Sequence, residues 1–247
     1  MNTYQIIIEY AGTNFVGWQI QKNGISVQEI IQKVVSKLVK TKITLSGSGR
    51  TDAGVHALAQ SAHFKIKSEI KNKMIFLNSL NHFLSKYDIS ILDLKKKSNS
   101  FHARYSAKKR VYKYLIINRA SPLSLKKNRA WHLKKKINID VMKKGANVLK
   151  KTKNFSRFRA SSCSAKSPIK TMEKVQIIKK KGDTIEIIFV SRSFLQQQVR
   201  SMVGCLRYLG EGKWSIKKFK QVTFSKKRSN CAPPAPPQGL YLQRVQY

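Results

Sequence analysis

Along residues 4–94 the hydrophobic period switches back and forth between two and 3.6, and the order of those switches leaves few folds open. Residues 4–10, Tyr-Gln-Ile-Ile-Ile-Glu-Tyr, read as a strand. Residues 26–29, Ser-Val-Gln-Glu, form a capping box. Behind it Val27, Ile30, Ile31, Val34, Val35 and Leu38 recur at helical spacing, which predicts a helix with one face in the core. Residues 43–46 and 61–66 read as strands, 73–86 as a second helix and 88–94 as a further strand. This β-α-β-β-α-β succession is that of the split βαβ, or ferredoxin-like, arrangement. Residues 95–100 are charged and polar, so the chain is expected to divide there, into residues 1–97 and 98–247.

The second half repeats the mixture and makes the class α+β. Strands are predicted at 111–117, 171–179 and 184–191, the last two joined by a hairpin at Gly182-Asp183. Helices are predicted at 140–149, weakened by Gly145, at 194–209 with Gly210 in the stop position, and at 215–221. Residues 119–135 read as a basic loop. Residues 231–237, Cys-Ala-Pro-Pro-Ala-Pro-Pro, cannot be regular helix or central strand, and form a stiff bend into a final strand at 239–245.

The densest chemistry lies in residues 47–58, Gly-Ser-Gly-Arg-Thr-Asp-Ala-Gly-Val-His-Ala-Leu, between two predicted strands. Three glycines there allow a tight backbone and close approach of a neighbour. They surround one acid, Asp52, with Arg50 two residues before it. A P-loop would need Lys and Ser/Thr where Val55 and His56 stand, and a dinucleotide fingerprint would need Gly where Asp52 stands. Two readings remain on local chemistry. Asp52 is a positioned carboxylate, fit for nucleophilic or general-base work, or a turn aspartate bonded to its own backbone.

Charge narrows the partner. The chain has 50 Lys+Arg against 11 Asp+Glu, a formal net charge of +39. Such a balance suits a polyanion, nucleic acid before an anionic membrane surface, because neutralising phosphates releases counterions. The frequent Lys, Ile and Asn also fit a codon-biased genome, which would supply charge without selection for binding. Residues 101–117 interleave cations with aromatics, an arrangement that suits RNA; Tyr112 and Tyr114 on one strand face suit a core equally well. The three cysteines are odd in number and widely spaced, giving neither a disulfide framework nor a zinc site, so a reduced, cytoplasmic setting is expected. The N-terminal residues have no basic n-region or long apolar run, and neither a signal peptide nor a membrane span is expected.

The run G-R-T-D-A-G-V-H-A at 49–57 resembles the catalytic loop of the TruA-type tRNA pseudouridine synthases. Further matches run from about residue 4 to 247: an E-Y-x-G-x-x-x-x-G-W segment at 9–18, F-H-A-R-x-S followed by R-x-Y-x-Y at 101–114, and V-R-x-M-V-G at 199–204. A terminal A-P-x-x-G-L-x-L-x-x-V-x-Y completes the pattern. Gln198, Ala59 and Asn154 depart from it.

The resemblance implies two ferredoxin-like halves whose antiparallel sheets meet around a central basic cleft. It also implies a homodimer, no cofactor or metal, and tRNA as substrate on the 3′ side of the anticodon stem-loop, positions 38–40. It makes Asp52 the nucleophile, sets Tyr112 against the target base and pairs Arg200 with Asp52. Arg50 would brace the loop or the flipped nucleotide. The competing functions are a non-catalytic RNA-binding protein or RNA chaperone on the same scaffold, and a basic structural protein of a ribonucleoprotein particle. Neither needs Asp52.

Overall fold

The computed structural model describes residues 1–225 and 228–247. The fold is α+β, and the chain forms two compact units: Met1–Lys108 with Leu242–Tyr247, and Lys109–Tyr241.

In the first unit β1 (Asn2–Tyr10), α1 (Val27–Leu38), β2 (Ser46–Gly47), β3 (His56–Ile66), α2 (Lys73–Leu84) and β4 (Ile89–Lys97) follow in the predicted order. β1 is central, antiparallel to β3 with Tyr4 opposite Phe64, and antiparallel to β4 with Ile6 opposite Leu94. Tyr4, Ile6, Ile8 and Phe64 are fully buried with Ile31 and Val35 of α1 and Leu80 and Leu84 of α2. The helix begins as the capping box requires at its Ser end: Ser26 Oγ accepts from Glu29 N at 3.2 Å. Glu29 instead bonds Lys33 Nζ at 2.6 Å.

β2 is shorter and later than expected, and β3 starts at His56, inside the predicted loop. The compact unit also runs past residue 97 to Lys108. The reason is local bonding: His63 Nδ1 accepts from Ala103 N at 3.2 Å, Tyr247 Oη donates to Ala103 O at 2.9 Å, and Lys108 N donates to Gln246 O at 2.8 Å.

The second unit contains β5 (Lys109–Asn118), β6 (Trp131–Leu133), α3 (Ile139–Lys151), β7 (Met172–Lys179), β8 (Thr184–Ser191), α4 (Gln198–Gly210) and α5 (Ile216–Phe224). β8 lies between β5 and β7, antiparallel to both, while β6 pairs parallel with β5 within what the sequence marks as a basic loop. The helix expected from residue 194 starts at Gln198. Gln197 takes a left-handed φ of 61°, and Gln198 Oε1 caps Leu195 N at 2.8 Å, so residues 194–197 form a turn. The last strand, β9 (Leu240–Gln246), begins in the second unit and ends in the first, beside β3. No helix among the described residues is long and apolar enough to cross a membrane.

Candidate active site

In the first unit, the segment between β2 and β3 carries Asp52, and residues 10–18 hold it from its backbone side. Trp18 N donates to Thr51 O at 3.1 Å, Tyr10 Oη shares a 2.8 Å hydrogen bond with Thr51 Oγ1, and Gly17 forms a β-bridge with Asp52. Val55 N closes the turn onto Asp52 O at 3.1 Å, and Gly12 N donates to Nδ1 of the buried His56 at 3.0 Å.

Two glycines make this approach possible. A Cβ on Gly12 would lie 2.0 Å from Val55 O, and one on Gly17, whose φ is +113°, would lie 2.6 Å from Thr51 O. The far side of the loop hangs on Gln60. Its Nε2 donates to Gly49 O at 2.8 Å, and its Oε1 accepts from Ser48 Oγ at 2.7 Å. Asp52 is thus half-buried on a backbone fixed residue by residue. The exposed Arg50 directs its Nε to Gln19 Oε1 at 3.1 Å.

In the second unit, β5 places Tyr112 opposite Phe189 of β8, with its ring edge-on to Phe194 at 5.0 Å. Tyr112 is 7% exposed, so its strand position serves packing as well as any ligand. Tyr114, two residues on, is fully buried and donates from Oη to Pro236 O at 2.7 Å. Burial pushes its phenol well above the usual tyrosine range, and the nearby Arg200 charge works the other way.

Arg200 is half-buried on α4. Its Nε donates to Ala235 O at 2.8 Å, and Ala235 N donates back to Arg200 O at 2.9 Å. The proline-rich segment 231–237 therefore lies along α4 as a strap. A Cβ on Gly204, one turn beyond Arg200, would lie 2.1 Å from Pro233 O. This explains why V-R-x-M-V-G ends in glycine.

A family model for tRNA pseudouridine synthase matches residues 6–106 and 149–247. The chain is 61% identical over 247 residues to tRNA pseudouridine synthase A of Pelagibacter ubique, with all of both chains covered. It is 40% identical to that of Parvibaculum lavamentivorans, again over the whole of both, and 42% identical over 245 residues to that of Ehrlichia canis, with 99% of each covered. The chain belongs to the tRNA pseudouridine synthase family. Membership makes it an isomerase.

Arg50, Asp52 and Arg200 fall inside the segments matched by the family model, and Tyr112 falls between them. Sequence reasoning missed the residues that hold the family's loop in place. Gly12, Gly17, His56 and Gln60 meet it through backbone and buried side chains. Gly12 and Gly17 stood in the E-Y-x-G-x-x-x-x-G-W run, but nothing local in that run says which backbone each glycine admits. His102 Nδ1 accepts from Arg104 N at 3.1 Å, and its ring lies tilted at 59° to that of His63, with centroids 4.6 Å apart.

Proposed function

We propose that the chain isomerises uridine to pseudouridine at positions 38–40 of tRNA, on the 3′ side of the anticodon stem-loop, as a cytoplasmic homodimer. The observation that carries the reading is the G-R-T-D-A-G-V-H-A loop, bonded at successive residues so that one half-buried carboxylate has a fixed position.

The reaction breaks N1–C1′, turns the uracil, joins C5 to C1′, and moves the C5 proton away as N1 gains one. No atom or electron is gained overall. Asp52 starts the cleavage, by attack at C1′ or by removing the C2′ proton. Arg200, its guanidinium plane set by Ala235 O, supplies the cation that acts with Asp52. Tyr112 stacks on the base and takes part in moving the C5 proton. Arg50 braces the flipped nucleotide. Leaving the stack costs the base about a few kcal/mol, which phosphate contacts from a chain of net charge +39 offset.

The test is tritium release from tRNA labelled at uridine C5, with wild type and Asp52→Ala side by side. Release by wild type alone is expected, with tRNA binding retained in the variant. Equal release by both would remove Asp52 from the chemistry. Binding without release by either would leave an RNA-binding protein.

A further inference from the structure

The two faces of the sheet in the first unit differ in chemistry. Alternation along β1 and β3 puts Tyr4, Ile6, Ala62 and Phe64 on one face and Gln5, Ser61 and His63 on the other. The second face is polar, yet Gln5, Ser61 and His63 are buried as well. Buried polar groups need partners, and on this face the partners form a chain that ends at Tyr247.

Gln5 Nε2 donates to Ser61 Oγ at 2.9 Å, and Tyr247 Oη shares a 2.7 Å hydrogen bond with the same serine oxygen. Tyr247 Oη also lies 2.9 Å from Ala103 O, which can only accept. The phenol proton therefore goes to Ala103 O, and the Ser61 proton goes to Tyr247 Oη. The order Gln5, Ser61, Tyr247, Ala103 runs in one direction, and each hydroxyl gives once and receives once. The Tyr247 ring is held separately, against Phe101 with centroids 4.9 Å apart.

Ser61 is also the point at which the Asp52 loop is fastened to β3. Its carbonyl accepts from Ser48 N at 2.7 Å, and its N–H donates to Gln60 Oε1 at 3.1 Å. Gln60 in turn holds Ser48 Oγ and Gly49 O. The residues just before Arg50 and Asp52 thus hang on one strand position, and the side chain at that position is bonded by Tyr247. Packing alone would be met by Phe at 247 and Ala at 61; the hydroxyls add a fixed register.

We propose that Tyr247 is a positioning residue for the Asp52 loop, acting through Ser61 on the backbone of Ser48 and Gly49. The proposal rests on the catalytic reading of Asp52 given above. Tyr247→Phe keeps the ring on Phe101 but removes both the acceptor of the Ser61 proton and the donor to Ala103 O. Ser61→Ala cuts the same link from the other side.

The experiment measures single-turnover tritium release from C5-labelled tRNA by the full-length wild type, Tyr247→Phe, Ser61→Ala, the double variant and Asp52→Ala. A merely structural role would lower the fraction of active protein, and so the amplitude. A positioning role lowers the rate constant of the active molecules. The expected result for Tyr247→Phe is a rate constant about ten-fold lower at full amplitude, with the KM for tRNA unchanged and faster amide exchange at Ser48. Ser61→Ala should match it, and the double variant should be no slower than either single one, because both cut one link. A wild-type rate constant in Tyr247→Phe, a loss of amplitude alone, or single effects that multiply in the double variant would overturn the proposal while Asp52→Ala stays inactive. Release by Asp52→Ala at the wild-type rate would instead remove the catalytic reading, and the proposal with it. Should Ser61→Ala fail to fold, Tyr247→Phe decides alone.

Discussion

The Asp52 loop and the Arg200 strap fix their side chains by opposite means. Apart from the turn that Val55 N closes onto Asp52 O, the loop's supports come from other segments: Trp18 N, Tyr10 Oη, the Gly17 bridge, Gly12 on His56, and Gln60 on Gly49. Arg200 starts from a rigid helix and is tied to Ala235, whose carbonyl accepts from the guanidinium and whose N–H returns to the helix. A carboxylate on a loop can be placed to a fraction of an ångström, but only through many partners, each a point of failure. A cation on a helix is placed first by the helix. Damage to the loop's supports should therefore reach activity sooner than damage to the strap.

The largest effect is expected from the side chain that the loop exists to carry. Asp52→Ala should lower kcat by about 10⁴-fold or more with tRNA affinity nearly unchanged, measured by C5 tritium release and filter binding. Gly12→Ala should come next. The added methyl would lie 2.0 Å from Val55 O and 2.5 Å from its carbonyl carbon, so backbone must move. A stability loss of about 1–3 kcal/mol and a kcat loss of about 100-fold are expected, read by thermal unfolding and single-turnover rates. Unchanged kcat in a folded Gly12→Ala protein would show that the loop tolerates loss of a support, and would erase the contrast with the strap.

Gly204→Ala gives the matching test in the second unit. Its methyl would meet Pro233 O at 2.1 Å, but alanine in a helix gains about 1 kcal/mol over glycine. The clash of about 1–3 kcal/mol is partly offset, and the strap can lift. Net destabilisation should be no more than about 2 kcal/mol, with a rate loss of about ten-fold, smaller than for Gly12→Ala. A larger loss at Gly204 than at Gly12 would reverse the ranking of the two devices.

How much of this was readable in advance follows the range of the interactions. The strands and helices of the first unit, the Ser26 cap and the Gly182-Asp183 turn depend on neighbours in sequence, and the expected elements match in kind and order, though β2 comes later and β3 starts earlier than expected. Asp52 and Arg200 stood out through long motifs. What could not be read depends on distant backbone: Gly12 against Val55, Gly204 against Pro233, and the return of residues 242–247 to the first unit. The late start of α4 belongs here too. The apolar stripe runs back to Phe194, and only the left-handed Gln197, which no propensity favours, interrupts it.

The smallest expected effect separates the two devices by chemistry. The first unit uses neutral histidines as acceptors: His56 Nδ1 takes Gly12 N, and His63 Nδ1 takes Ala103 N. An imidazole protonated at both nitrogens can accept neither. Burial first, then the His102 charge, lowers the His63 value from its ordinary 6.5, and burial lowers His102 also. Well above pH 6.5 folded and unfolded chains are both neutral at His63 and His102. As the pH falls below 6.5 the unfolded chain takes its protons first, so stability is lost until the folded values are passed. The contacts that tie the strap to Arg200, backbone amides and a guanidinium, do not titrate in this window. Acidification from pH 7.5 to 5.5 should lower Tm by about 2–4 °C, and amide exchange should rise at Ala103, which donates to His63, before it rises at Ala235. Replacing His63 by Gln, which keeps an acceptor without a titrating proton, should flatten part of that slope. Equal loss of protection at Ala235 would mean that the strap, too, depends on a group that titrates between those values.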